Sequence, residues 1–132
     1  MSIGNEPVTE PKRILVVEDE ERVANLIQRQ LETDGFEVQI AVRGSTALNL
    51  VATHPPDLVI LDLRLPDVSG YELCAMLRRL YSAQQLPIVI LTGVEQTAME
   101  LREQAVGANA YLRKPYDAIE LLETVNRLLA SS

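Results

Sequence analysis

The run Leu58-Val59-Ile60-Leu61, closed by Asp62, constrains the fold more than any other stretch of the chain. It is far too short to span a membrane, and its unbroken apolar character matches a strand buried on both faces of a parallel sheet. The first charged residue after such a strand falls at its carboxyl edge, which makes Asp62 a candidate site residue. Three other stretches repeat the pattern: Ile14-Leu15-Val16-Val17 runs into Glu18-Asp19, Ile88-Val89-Ile90-Leu91 into Thr92, and Ala110-Tyr111-Leu112-Arg113 into Lys114. If these strands are parallel, their endings crowd onto one edge and bring together three carboxylates, a hydroxyl and an ammonium.

Between the strands the apolar spacing turns helical. A strand over 12–17 is followed by Val23, Leu26, Ile27 and Leu31, which predict a helix over 20–33 that stops at Gly35. Residues 36–41 read as a second strand nearer a sheet edge, and 44–53 as a helix burying Ala47, Leu48 and Val51 before His54-Pro55-Pro56 breaks it. After the core strand at 57–61, Ser69-Gly70-Tyr71-Glu72 has the form of a capping box and opens a helix expected to turn Leu73, Leu77 and Leu80 inward. A strand at 88–91, a helix at 95–106 stopped by Gly107, a strand at 108–113 and a helix at 117–130 complete the alternation. Strict alternation implies right-handed crossovers. The expected fold is α/β: a three-layer, doubly wound, flavodoxin-like arrangement of a five-stranded parallel sheet in order 2-1-3-4-5 with five helices. Residues 1–11, with Gly4, Pro7 and Pro11 but no apolar core, read as a flexible tail, and 12–130 as one domain with no output domain.

Composition narrows the partners. The balance of 19 acidic against 12 basic residues gives a net charge of −7, with no Lys/Arg cluster to neutralise nucleic-acid phosphates. No membrane span is legible. The single cysteine, Cys74, rules out an intrachain disulfide, fits a reducing cytoplasmic compartment and is expected to pack rather than react. His54, the one histidine, is expected to be solvated.

In an open doubly wound sheet, ligands gather where the connections reverse direction, here between the first and third strands. Those strands carry Glu18, Asp19 and Asp62. Three carboxylates held close together either raise a pKa or bind a cation, and an oxygen-only donor set with room for water favours Mg²⁺. Lys114 and Thr92 would add positive charge and a hydrogen-bond donor for phosphoryl oxygens that the metal does not reach. Asp62, on the central strand, is then the candidate nucleophile, since carboxylates form acyl phosphates. A plain ion pair between Asp62 and Lys114 with no chemistry remains the competing interpretation from residues alone.

Taken together, Ile-Leu-Val-Val-Glu-Asp-Glu at 14–20, Asp-Leu-Arg-Leu-Pro-Asp-Val-Ser-Gly at 62–70, Leu-Thr-Gly at 91–93 and Gly-Ala-Asn-Ala-Tyr-Leu-Arg-Lys-Pro-Tyr at 107–116 resemble the receiver domain of two-component response regulators. The resemblance covers residues 12–129, and the 2-1-3-4-5 strand order is also that of this family. It implies that Asp62 accepts a phosphoryl group from a phosphohistidine on a sensor histidine kinase or histidine phosphotransfer protein. Mg²⁺ would be held by Asp19, Asp62 and the backbone carbonyl of Arg64, with Glu18 acting through a metal-bound water. Thr92 and Lys114 would each contact a phosphoryl oxygen, Tyr111 would rotate inward as Thr92 moves, and Pro115 would follow a cis peptide. The outcome is a signalling switch rather than an enzyme, read out on the face of the fourth helix, fifth strand and fifth helix. The first helix beside Lys114-Pro115 would dock the phosphodonor.

Several positions depart from the family pattern. Glu18 stands where Asp is frequent, and Gly93 where alanine is usual. Asn109-Ala110 replaces two acids that take part in the symmetric dimer of regulators joined to winged-helix domains, so a monomer or weak dimer is expected. Arg64 and Val94 lie where the family tunes water access to the acyl phosphate. A flavodoxin would need a hydroxyl- and glycine-rich loop where Glu18-Asp19-Glu20-Glu21 stands, and an aspartyl-phosphate phosphatase would need an acid at Arg64. The remaining alternative is a degenerate receiver serving as a constitutive protein-interaction scaffold.

Overall fold

The computed structural model describes residues 10–93 and 107–130. Within them five strands, β1 (Arg13–Val17), β2 (Glu37–Ala41), β3 (Leu58–Asp62), β4 (Ile88–Thr92) and β5 (Ala110–Arg113), form one parallel sheet in the order β2-β1-β3-β4-β5. Helices α1 (Glu21–Thr33), α2 (Gly44–Thr53), α3 (Gly70–Leu80) and α4 (Ala118–Ala130) connect or follow the strands. The fold class and strand order are those read from the sequence. Four of the five expected helices are described; the expected helix at 95–106 and residues 1–9 of the expected tail lie outside the described residues.

Each central strand is apolar throughout because both its faces are covered. Side chains alternate across the pleat, so one strand feeds two cores. Leu15, Val17, Val59, Leu61, Ile88 and Ile90 pack with Leu73, Cys74 and Leu77 of α3 and with Ala47 and Val51 of α2. On the other face Ile14, Val16, Leu58, Ile60, Val89 and Leu91 pack with Ile27 and Leu31 of α1 and with Leu121, Val125 and Leu128 of α4. On β2, at the sheet margin, Val38 is buried while Glu37 and Gln39 are exposed.

Helix boundaries follow local chemistry. At the end of α1, Phe36 N–H donates to Leu31 O (3.2 Å) and Gly35 N–H to Glu32 O (3.0 Å), a reversal that requires the left-handed φ of +92° at Gly35. Ser69 caps α3 by accepting from Glu72 N–H at 3.1 Å. One inward assignment is corrected: Leu80 is 67% exposed, as is, at 49%, Leu26 on the apolar spacing of α1. They lie at the margin of their helices' apolar stripes, a margin that spacing alone does not define. On α3 the buried position is instead Cys74, packed as expected. β5 starts at Ala110 rather than 108, because the Asn109 side chain, not a strand partner, accepts Ile88 N–H (2.9 Å) and an Arg78 N–H (2.7 Å). β3 runs to Asp62, while Asp57 ahead of it accepts Arg13 N–H at 2.8 Å.

Gly70 closes the segment after β3. Its N–H donates to Leu63 O at 2.9 Å, and a Cβ at this position would stand 2.5 Å from Asp62 O and 2.6 Å from Leu63 Cα. Backbone cannot retreat as a flexible side chain can. Gly70→Ala is therefore expected to destabilise the fold by about 1–3 kcal/mol, read as a lower urea midpoint at unchanged slope; an unchanged midpoint would contradict this packing.

Candidate functional site

The parallel sheet sets four of its strand ends side by side. β3 lies between β1 and β4, so the residues closing β1 and β3 become neighbours, and β5 extends the edge. Lys114 N–H donates to Thr92 O at 2.8 Å, which anchors the lysine beside β4. Its ammonium then reaches back over β3: Nζ is 3.2 Å from Glu18 Oε1 and 3.4 Å from Asp62 Oδ1. Glu18, Asp19 and Asp62 each place a carboxylate oxygen within 4.8 Å of the other two.

Burial decides the electrostatics of this cluster. Glu18 has no exposed surface, Asp62 is 5% exposed and Asp19 is open to solvent. Loss of hydration and the neighbouring Asp62 charge push the Glu18 carboxyl up to about 7, against the smaller opposing effects of Glu20 N–H (3.1 Å) and Lys114. Burial alone would lower the Lys114 ammonium, but the charges of Asp62 and Glu18 outweigh it and raise the pKa. One ammonium faces three acids. When all three are ionised the local sum is about −2, and a hard divalent cation is the partner that an all-oxygen donor set of this charge fits.

A cleft of about 430 Å³ opens over the cluster, lined by Asp19, Asp62, Arg64, Ser69, Tyr71, Gly93 and Lys114 together with Glu20 and Leu63. Of the residues singled out from sequence, Asp19, Asp62, Arg64 and Lys114 thus line the cleft, with Glu18 behind them on Lys114. Thr92 is fully buried and its hydroxyl donates to Gly93 O at 3.2 Å, turned into its own loop. Tyr111 is half-buried and packs against the core on the α2–α3 face. The Lys114-Pro115 peptide is cis, as the resemblance implies. Val94 lies outside the described residues. His54 is exposed, and the Cys74 thiol is buried and pushed up by desolvation, so neither belongs to the site.

Gly93, singled out from the sequence by its place after Thr92, lines the cleft, whereas Ser69 and Tyr71, at the start of a helix, carried no signal that they would.

A family model for the response regulator receiver domain matches residues 14–126. The chain belongs to this family. It is 42% identical over 117 residues to the phosphate regulon transcriptional regulatory protein PhoB of Rhizobium meliloti (strain 1021), covering 89% of this chain and 52% of that protein. Among solved structures, a CheY-like response regulator receiver domain protein from Methanospirillum hungatei JF-1 superposes with a TM-score of 0.83 at 29% identity, covering 92% of this chain and 95% of that one. The non-phosphorylated HemR receiver domain from Leptospira biflexa gives 0.77 at 36% identity, covering 89% and 94%. The chain spans about half the length of the curated relatives it matches. Among the described residues, no helix is long and apolar enough to cross a membrane.

The raised Glu18 carboxyl fixes a pH dependence. Because its folded pKa lies above the unfolded value of about 4.5, Glu18 contributes stability fully below pH 4.5 and loses it as pH rises through about 7. In the absence of divalent cations, Glu18→Gln is expected to be more stable than the wild type at pH 8, by on the order of 1–3 kcal/mol, and to match it more closely near pH 4.5. Urea denaturation of both proteins at the two pH values checks this; a gap that does not widen with pH would contradict it.

Proposed function

We propose that this receiver domain is a phosphorylation-dependent signalling switch in which Asp62 accepts a phosphoryl group from a phosphohistidine of a sensor histidine kinase or histidine phosphotransfer protein. The observation that carries it is the approach of the Lys114 ammonium to Asp62 Oδ1 in a cleft that Asp19 and Glu20 also line. An Asp62 carboxylate oxygen attacks phosphorus, the P–N bond to the donor imidazole breaks, and its electron pair stays on the imidazole nitrogen. Bound Mg²⁺, held by Asp19, Asp62 and the backbone carbonyl of Arg64, would supply the positive charge that lets two anions meet.

This chain's own residues supply the rest. Lys114 is poised by two carboxylates and transfers its contact from Glu18 to a phosphoryl oxygen, where fixed positive charge lowers the barrier. Thr92 must release Gly93 O before its hydroxyl reaches another phosphoryl oxygen. That rotation couples the modified Asp62 to the β4 loop and, through Tyr111, to the face of the helix expected at 95–106, β5 and α4. A coupling of about 1–3 kcal/mol shifts such an equilibrium by about 5- to 150-fold. Output is by protein contact, and the domain itself signals rather than turning over a substrate. Docking of the phosphodonor falls to α1 and the loop after Lys114. Cys74 is a free thiol, in keeping with the reducing cytoplasmic location that such a donor implies.

Incubation with Mg²⁺ and acetyl phosphate is expected to add the mass of one phosphoryl group, lost in Asp62→Asn and formed on the order of 10²-fold more slowly in Lys114→Ala. An unmodified wild-type mass would favour a degenerate receiver acting as a constitutive scaffold. Arg64 lines the cleft beside Asp62 and is expected to shield the acyl phosphate from water. Arg64→Ala should therefore lose the phosphoryl group faster than wild type; an equal or slower rate would remove that role.

A further inference from the structure

The segment between β3 and α3 carries Arg64 at the cleft and is pinned at both its base and its tip. At the base, Gly70 N–H donates to Leu63 O and the Gly70 backbone lies against Asp62 O, as described above. At the tip, the Asp67 carboxylate reaches across the surface to α2. Its Oδ1 accepts Gly44 N–H at 2.8 Å and its Oδ2 accepts Ser45 N–H at 3.0 Å.

Those two donors would otherwise be orphans. The first N–H groups of a helix have no partner within it, and Arg43, at the N-cap of α2, supplies no side-chain cap. A carboxylate held by two backbone N–H groups at a helix N-terminus makes charge-assisted hydrogen bonds and meets the positive end of the helix dipole. The same contacts hold the Asp67 carboxyl below the usual carboxylate range. Packing reinforces the clamp: Val68 lies so close to Gly44 that any Cβ there would collide with it. Asp67 and Val68 together therefore fasten the tip to α2, from 22 and 23 residues away along the chain for the two hydrogen bonds.

We infer that Asp67 is a positioning residue for the cation site: by clamping the β3–α3 segment to the first turn of α2, it holds the backbone of Arg64 where the cleft needs it. This rests on the Mg²⁺-binding role proposed above. Mg²⁺ tolerates little departure from octahedral geometry, so a donor on a loosened loop must be ordered at the moment of binding, and affinity falls accordingly. Partners in direct contact with a metal ligand change affinity by about 10- to 100-fold; Asp67 acts at one remove, and about 3- to 10-fold is expected.

Titration of the ¹⁵N-labelled chain with Mg²⁺, followed by amide chemical shifts, reads this without any phosphoryl transfer. The Mg²⁺ dissociation constant is expected to rise about 3- to 10-fold in Asp67→Ala and by less in Asp67→Asn, which keeps one acceptor oxygen and the size of the side chain. Amide exchange at Gly44 and Ser45 should accelerate in both. Glu37→Gln, which removes an exposed acidic charge from β2, should leave the constant unchanged and so separates clamping from bulk charge. A purely structural role would lower the urea midpoint of the Asp67 variants while leaving Mg²⁺ affinity untouched, and that result overturns the inference. Should Asp67→Ala not fold, Asp67→Asn alone decides it on the same readout. A wild type that fails to bind Mg²⁺ would instead remove the proposed site itself, and the inference with it.

Discussion

A single ammonium stands between two buried carboxylates. Lys114 lies 3.2 Å from Glu18 and 3.4 Å from Asp62, and the rest of the cleft is arranged around the charge it leaves unbalanced. Deprived of one partner, a buried charge costs about 3–5 kcal/mol, so the lysine stabilises the resting cluster while remaining insufficient for it. That insufficiency is what makes the site receptive to a divalent cation. It also makes Lys114 movable: an ammonium shared between two acids can exchange one of them for a phosphoryl oxygen without becoming unpaired.

The sheet makes this arrangement possible. In a parallel sheet every strand ends at the same edge, so residues as far apart as Glu18 and Lys114 meet without a long loop to carry either. Gly70 and Asp67 then fasten the segment that follows β3, the first against Asp62 and the second against α2. Thr92 is the exception to this rigidity. Its hydroxyl rests on Gly93 O, a neutral hydrogen bond that, in the proposed switch, gives way to a charged phosphoryl acceptor, since bonds to charged acceptors are roughly twice as strong.

Much of this was written in the sequence because burial on both faces of a strand demands an unbroken apolar run, and the polar residue that ends the run marks the edge. Asp62, Glu18, Asp19 and Thr92 were legible for that reason, Lys114 only as the residue following Arg113 on the less buried β5, and the family resemblance gave them roles. Side-chain direction was not legible. Leu26 and Leu80 satisfy helical spacing yet face solvent, because the width of an apolar stripe depends on what packs beside it. Asn109 looks like an ordinary strand residue until its amide is seen accepting from Ile88 and Arg78. Asp67 reads as a turn residue after Pro66; its grip on α2 arises only when the fold brings the two segments together.

We propose that the acids and the lysine form one phosphoryl-accepting mouth. This is tested most directly by a crystal structure of the chain grown with Mg²⁺ and beryllium fluoride, which mimics a phosphoryl group on a carboxylate. The expected structure has a fluoride adduct on the Asp62 carboxyl, Lys114 drawn from Glu18 to a fluorine, and the Thr92 hydroxyl turned away from Gly93 O toward another. A bare Asp62 at saturating reagent, with Lys114 still resting on Glu18, would contradict it.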